Sequence, residues 1–144
     1  MRRIAALFAT LALLVCCAPK QQTLIRTKVP ARPAGQEDMI QFAADPIQDV
    51  GIGVVGLGMR GGSAVKRLSF VPGCHVAAVC DVEPDRAEKS RQYLADKGSD
   101  PHVYAGEELS YQALCEDPAV DLVYICTDWI HHVPVALYAM EHGK

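Results

Sequence analysis

Hydrophobic and polar positions along the chain alternate in blocks that predict strands followed by helices. Short apolar runs bounded by glycine, proline or aspartate are typical of strands, and longer segments with one apolar side are typical of helices. Strands are expected at 50–55, 75–80, 102–104 and 121–126. Helices are expected at about 61–70, from Pro84 to before Gly98, at 106–115 and at 132–142. Four such units in succession predict an α/β fold with a doubly wound parallel sheet.

Two details of this pattern extend the prediction to the core. The segment 121–126 is continuously apolar after Asp121, which is typical of a parallel strand covered on both faces. In the segment 106–115, the apolar residues Leu109, Ala113 and Leu114 are expected on the buried side.

Glycines cluster directly after the first predicted strand, in Gly56-Leu-Gly-Met-Arg-Gly61. Two G-x-G-x-x-G registers fit the letters, and the earlier one places Gly51 and Gly53 inside the strand, where a phosphate has no access. We therefore choose Gly56, Gly58 and Gly61, which fall in the turn and at the start of the helix. Such a turn lets backbone N–H groups at a helix N-terminus hold a diphosphate.

An acidic residue at the end of the second strand supports a dinucleotide site. Asp81 follows Gly56 by 25 residues, close to the spacing of about 20 that places a carboxylate at the adenosine ribose. The carboxylate would accept hydrogen bonds from both ribose hydroxyls and repel a 2′-phosphate, which favours NAD over NADP. Arg86 is the nearby basic residue that would oppose this preference. A glycine turn with a helix-capping aspartate and no ligand is the alternative.

The segment after the fourth strand carries Thr127, Trp129, Ile130, His131 and His132. Adjacent histidines do not face one metal ion well, and no third ligand is spaced with them, so a metal site is not expected. Two interpretations remain, a surface histidine pair that caps a helix and a cofactor contact. Because carboxyl ends of parallel strands share one edge of the sheet, the position favours the cofactor contact.

The four cysteines that follow residue 17 carry no metal-binding or disulfide pattern. Cys74, Cys80, Cys115 and Cys126 contain no C-x-x-C pair, and two of them end apolar strands. We therefore expect core thiols.

The amino terminus resembles a bacterial lipoprotein signal at residues 1–17. A short basic start, Met1 to Arg3, precedes the apolar segment 4–15, which is too short to span a bilayer but suits a secretory signal. Cys17 is the expected lipidated residue, because Cys16 would place the bulkier Val15 before the cleavage point. A buried helix of a cytoplasmic protein is the alternative. Export to the periplasm or the membrane surface is the expected location.

Residues 18–48 are rich in proline and predict a flexible linker, and residues 49–144 predict a partial NAD-binding Rossmann domain. The net charge of −3 offers no basic face for nucleic acid, so no nucleic-acid partner is expected.

Residues 50–144 resemble the Gfo/Idh/MocA family, which includes glucose–fructose oxidoreductase and inositol dehydrogenase. The resemblance rests on the Gly56 to Gly61 turn, on Asp81 and on the segment from Thr127 to His132. Usual members carry Thr-Pro-Asn where this chain has Thr127-Asp128-Trp129. That departure, the Gly-Met-Arg-Gly letters of the turn and the ending Tyr138 to Lys144 are similar to the glycosyl hydrolase family 109 branch.

The resemblance implies an NAD-dependent α-N-acetylgalactosaminidase for the full-length relative. In that branch the residues that match Met59, Arg60, Asp81 and the segment Trp129 to His132 contact NAD. The implied mechanism oxidises the sugar 3-hydroxyl, eliminates the glycoside after loss of the acidified C2 proton, adds water and returns the hydride. Alternatives are an NAD-dependent sugar or polyol dehydrogenase of the same family and a non-catalytic nucleotide-binding lipoprotein.

The length of the chain leads to a further expectation. Family members continue with a fifth strand and a C-terminal substrate domain that supplies the sugar contacts and the acid–base residues. We therefore expect a chain truncated before both elements, with no catalytic residues of its own and no turnover. Such a chain would contact a sugar only through the missing domain. An unpaired sheet edge would favour association with a second copy.

Overall fold

The computed structural model describes residues 31–35, 40, 43 and 45–144. The predicted signal at 1–17, with Cys17, lies outside the described residues, and export and lipidation stay predictions. Those residues of the predicted linker 18–48 that are described lie in neither a helix nor a strand. Residues Ala43–Lys144 form one compact unit. Within the described part of the chain, no helix is long and apolar enough to cross a membrane.

Four strands and four helices alternate along the described chain. They are β1 (Val50–Val55), α1 (Met59–Leu68), β2 (Cys74–Asp81), α2 (Pro84–Ala95), β3 (His102–Ala105), α3 (Ser110–Glu116), β4 (Leu122–Ile125) and α4 (Trp129–Glu141). All strand pairs are parallel, and the strand order is β3-β2-β1-β4. The order reverses direction at β1, as in a Rossmann-type sheet. The predicted α/β doubly wound parallel sheet is confirmed.

Each face of the sheet carries its own apolar cluster. On one face, Val65 of α1 and Leu94 of α2 pack with Val54 of β1 and Val79 of β2. On the other face, residues of α3 and α4 pack with neighbouring strand positions that point the opposite way. Because successive strand residues alternate between faces, helices on both sides leave the strand carboxyl ends as the open edge of the fold.

The buried side of α3 differs from the sequence prediction. The helix begins at Ser110 rather than at 106, which places Leu109 outside it with 55% of its surface exposed. Ala113 is exposed as well. Leu114 is fully buried as expected. The other two core positions of α3 are Tyr111 and Cys115, because residues three and four apart share one face of a helix.

The prediction that β4 is covered on both faces is wrong for the described structure. Leu122 and Tyr124 are 44% and 37% exposed. They pair with Ile52 and Val54 of β1 and so point to the face that carries α1 and α2. Among the described elements, β4 lies at the end of the sheet with β1 as its partner. The apolar run in the sequence therefore predicted the strand correctly but not the exposure of one of its faces.

The four described cysteines are free thiols, as predicted. Cys80 and Cys115 are buried, and Cys74 and Cys126 are partly buried. Burial raises the pKa of Cys80 to about 12, and the neighbouring Asp81 adds to the effect. A thiol in such surroundings stays neutral and packs as a small apolar group.

Candidate functional site

Residues that follow the four parallel strands meet at one edge of the sheet and line a groove of about 630 Å³. Gly56 and Gly58 follow β1, Asp81 ends β2, and Thr127 follows β4. The connection between β3 and α3 contributes Glu108. We call this the central groove. Its position agrees with the prediction that the glycine turn, Asp81 and the segment after β4 share one edge.

Two glycines of the turn are required by the fold itself. Gly56 has a φ of 86°, and a Cβ at this position would lie 2.8 Å from the carbonyl of Cys126. Gly61 is the third residue of α1, and a Cβ there would overlap the carbonyl oxygen of Gly56. The first glycine therefore permits the turn, and the last lets the helix pack against the end of the strand.

Gly58 is different, because nothing in the protein fills the space beside it. A Cβ at Gly58 would meet no atom within 4 Å, and its φ of −62° is open to other residues. Gly58 is the N-cap of α1, and no side chain caps this helix. The first-turn N–H groups are thus left for a ligand. An open cradle at an uncapped helix N-terminus fits the diphosphate of NAD.

The choice between the two glycine registers is supported by the structure. Gly51 and Gly53 lie inside β1 and are buried. A Cβ at Gly53 would come within 2.6 Å of the Leu114 side chain, so this glycine makes room for α3. Gly51 and Gly53, the two glycines found only in the rejected register, therefore serve packing.

Asp81 fastens the glycine turn to the end of β2. Its carboxylate is almost fully buried and accepts hydrogen bonds from the N–H of Leu57 at 2.5 Å and the N–H of Glu83 at 2.9 Å. Arg86 Nη1 lies 3.7 Å from Asp81 Oδ1. A carboxylate has about four lone-pair sites, so capacity remains for ribose hydroxyls at the groove wall. Asp81 thus has a structural role beside the predicted cofactor contact.

A second groove, of about 580 Å³, lies beside the central groove and is lined by residues of α1 and α2. We call it the lateral groove. Gly58 and Arg86 line both grooves. The lateral groove also carries Lys66 and Lys89. The lateral groove therefore carries two lysines in addition to Arg86, the cationic residue that lies 3.7 Å from Asp81.

Residues Trp129 to His132 form the first turn of α4 rather than a loop before a helix at 132. Asp128 is the N-cap, and its Oδ1 accepts hydrogen bonds from the N–H groups of Ile130 and His131 at 3.0 Å each. The interpretation of the histidine pair as the cap is therefore wrong. An aspartate just before a helical segment is the signal that could have located this boundary.

The predicted site residues divide into groups by position. Those that line the central groove are Gly56, Gly58, Asp81, Thr127 and His131. Met59 lines the lateral groove, and Gly61 is buried behind the turn. Like Gly61, four further predicted residues line neither groove: Arg60, Trp129, Ile130 and His132. Trp129 is 94% exposed, and its ring stacks on His132 at 6.3 Å between centroids.

Sequence reasoning missed two groove residues that interact with His131. His131 Nδ1 lies 2.7 Å from Asp128 Oδ1, and His131 Nε2 lies 3.2 Å from Glu108 Oε1. The hydrogen bonds with Asp128 and then Glu108 raise the pKa of His131. The backbone and side-chain hydrogen bonds from His131 lower the pKa of Asp128. In the described residues, no group of histidine, cysteine and carboxylate side chains is arranged to hold a metal ion.

A family model described as an oxidoreductase family with an NAD-binding Rossmann fold matches residues 50–144. The chain belongs to the Gfo/Idh/MocA family. The match covers every helix and strand of the described fold. The matched domain binds NAD in this family, so the predicted cofactor is confirmed, and the central groove is the candidate site for it.

Curated relatives of this Gfo/Idh/MocA chain carry the name glycosyl hydrolase family 109 protein. Protein 3 of Phocaeicola vulgatus is 49% identical over 118 residues, which cover 81% of this chain and 21% of the relative. Protein 1 of Bacteroides fragilis is 43% identical over 148 residues, which cover 99% of this chain and 32% of the relative. The chain thus spans about a fifth to a third of the length of these relatives.

Solved Gfo/Idh/MocA-type structures share the fold. Myo-inositol dehydrogenase of Lactobacillus casei, solved with NAD(H) and myo-inositol, is 28% identical with a TM-score of 0.54. The similarity covers 64% of this chain and 25% of the dehydrogenase. The part in common is thus about a quarter of the dehydrogenase chain.

Proposed function

We propose that this chain is the NAD-binding part of a glycosyl hydrolase family 109-type enzyme, an NAD-dependent α-N-acetylgalactosaminidase that works by oxidation and elimination. The observation that carries the proposal is the identity of 43–49% with proteins of that name, over most of this chain. The first turn of α4, with Asp128 and Trp129 in place of the usual Pro-Asn, supports the same branch.

Residues of this chain would bind and orient the cofactor. The N–H groups at the start of α1 would hold the diphosphate, and the Asp81 carboxylate would accept hydrogen bonds from the ribose hydroxyls. Thr127, Asp128 and His131 line the central groove at the start of α4, and we take this side of the groove for the nicotinamide end of the dinucleotide. Bound NAD supplies a reversible hydride acceptor. The chain thereby provides binding and orientation, while sugar contacts belong to the remaining length of the relatives.

A second candidate is an NAD-dependent sugar or polyol dehydrogenase. The similarity to myo-inositol dehydrogenase favours it, because the same Rossmann domain serves a net oxidation in that protein. The two candidates differ in the fate of the hydride. A glycosidase of this mechanism returns the hydride to the sugar in each turnover, whereas a dehydrogenase releases NADH.

The test uses the complete reading frame that contains this sequence. The purified product is incubated with NAD and a chromogenic α-N-acetylgalactosaminide, and both chromophore release and NADH are followed. We expect chromophore release that requires NAD, with no net NADH. Net NADH formation with a free sugar or polyol, and no glycoside cleavage, would instead support the dehydrogenase. NAD binding without either reaction would support a non-catalytic nucleotide-binding protein.

Cofactor preference gives a prediction about Asp81 and Arg86. We expect NAD to bind more tightly than NADP, because the Asp81 carboxylate would face the 2′-phosphate. Asp81→Ala should reduce this preference by about tenfold, which corresponds to about 1.4 kcal/mol in the difference between the two binding free energies. Arg86 and the lysines of the lateral groove would then be free to bind the phosphate. Titration of both dinucleotides against the purified chain is the measurement.

A double substitution is the control for this prediction. Asp81→Ala combined with Arg86→Ala should lose most of the gained NADP affinity, because the guanidinium beside Asp81 is removed. Because Asp81 also binds the Leu57 and Glu83 N–H groups, thermal unfolding is measured for each variant. NADP binding as tight as that of NAD in the unsubstituted chain would contradict the prediction.

A further inference from the structure

Three side chains form a bridge at the wall of the central groove. Glu108, in the connection between β3 and α3, reaches His131 in the first turn of α4 at 3.2 Å. The other ring nitrogen of His131 reaches the N-cap Asp128 at 2.7 Å. We call Glu108, His131 and Asp128 the carboxylate–histidine bridge. It links the segment after β3 to the helical turn after β4.

The two contacts of the His131 ring favour a charged imidazole. A neutral imidazole has one N–H group, so one of its nitrogens would direct a lone pair at a carboxylate oxygen. Only the imidazolium donates from both nitrogens, to Asp128 and to Glu108 together. Both carboxylates accordingly raise the pKa of His131. The bridge is complete at pH values below this raised pKa and loses a hydrogen bond as the pH rises through it.

The central groove carries other ionisable groups besides the bridge. Cys80 and Cys126 have raised thiol pKa values because of burial. The remaining charged or phenolic groups on the lining are Asp81, Arg86, Glu107 and Tyr111. Among the described lining residues, His131 is the histidine, the residue type whose ordinary pKa lies near neutrality.

We propose that Glu108 is a positioning residue for NAD, which acts through His131 to hold the first turn of α4 in its binding geometry and makes NAD affinity depend on pH. This inference rests on the proposed function, because it takes that turn as part of the cofactor site. Glu108 does not itself need to touch NAD. Its role is to keep the ring of His131 between two carboxylates and so fix the turn against the segment after β3.

The sign of the effect separates positioning from simple charge. Glu108 carries a negative charge at a groove that receives a diphosphate, so removing the charge alone would strengthen binding. Loss of positioning would weaken it. Glu107 offers a matched control, because it lines the same groove, carries the same charge and is the neighbouring residue, while His131 is bridged by Glu108. The two glutamates should therefore respond in opposite directions.

The experiment measures NAD affinity by titration between about pH 5.5 and 8.5 for the purified chain, Glu108→Ala and Glu107→Ala. We expect Glu108→Ala to bind NAD about threefold more weakly at neutral pH, a size typical of exposed ion pairs. The pH at which affinity falls should also move down, because His131 loses one carboxylate. Glu108→Gln keeps an acceptor for the His131 N–H and should recover part of the affinity. Glu107→Ala, which removes a groove charge without removing the bridge, should bind NAD more tightly, with the midpoint of the pH dependence retained.

The His131 proton is also followed directly, by an NMR titration of the ring in the same variants. A lower pKa of His131 in Glu108→Ala, together with the weaker affinity, supports the proposal. Equal weakening by both alanine variants, or an unchanged pH midpoint in Glu108→Ala, would overturn it and leave the proposed function standing. If the unsubstituted chain binds no NAD at any of these pH values, the proposed function and this role both fail.

Discussion

Gly58→Ala should abolish most NAD binding while the fold stays intact. A Cβ at this position meets no protein atom within 4 Å, and the residue already has a negative φ, so the protein itself tolerates alanine. The same methyl group would stand where the backbone must approach the diphosphate. We expect affinity to fall by at least about tenfold, equivalent to about 1.4 kcal/mol. Titration with NAD and thermal unfolding of the same sample are the measurements.

Gly61→Ala is the contrasting control for that experiment. Its Cβ would overlap the Gly56 carbonyl, so it should lower the stability of the domain as well as the affinity. Both glycines belong to one motif, yet the space beside Gly58 is open and the space beside Gly61 is filled by the Gly56 carbonyl. Undiminished NAD affinity in Gly58→Ala would place the diphosphate elsewhere. Loss of folding in Gly58→Ala would show that the open space beside it is needed by the protein.

Leu114→Ala should destabilise the domain by about 2–5 kcal/mol, the cost of deleting a large buried aliphatic side chain. Leu114 is fully buried on α3 and fills the space that Gly53 leaves in β1. Domain stabilities are typically about 5–15 kcal/mol in total, so the loss is a large share. Chemical denaturation followed by circular dichroism gives the change in the free energy of unfolding.

Leu109→Ala is the matched control, because it makes the same substitution at the residue before α3. Leu109 is 55% exposed, and such surface substitutions usually change stability by less than about 0.5 kcal/mol. The sequence pattern had assigned both leucines to the buried side. A similar loss of stability in the two variants would therefore return Leu109 to the core and contradict the described start of the helix.

Local patterns in the sequence were sufficient for the order of elements and for the glycine turn. Strand β1 has the predicted bounds, and the other strands and the helices differ by a few residues at their ends. At α4 a side-chain cap decides the boundary: Asp128 is the N-cap, and the helix begins at Trp129, three residues before the predicted start. Helix α1 begins at Met59, two residues before the predicted start, without a side-chain cap. A cap is a hydrogen bond with specific geometry, which apolar periodicity does not register.

The site was predictable where spacing along the chain fixes position, and not where distant segments meet. Asp81 was found because a strand end at a fixed distance from the glycine turn must lie beside it. Its hydrogen bonds to Leu57 and Glu83, and its ion pair with Arg86, follow from the packed turn. Glu108 was not found, because nothing in the sequence relates it to His131, 23 residues later.

The sequence by itself determined the α/β order, the parallel sheet and the glycine turn beside Asp81, because apolar period, glycine spacing and charge are local properties of the chain. Only the tertiary structure decided which glycine has open space beside it, that β4 has one exposed face, and that Glu108 and Asp128 share one imidazole. These features depend on which atoms become neighbours across the sheet and on which surfaces remain exposed. Neither can be predicted from the sequence of a single segment.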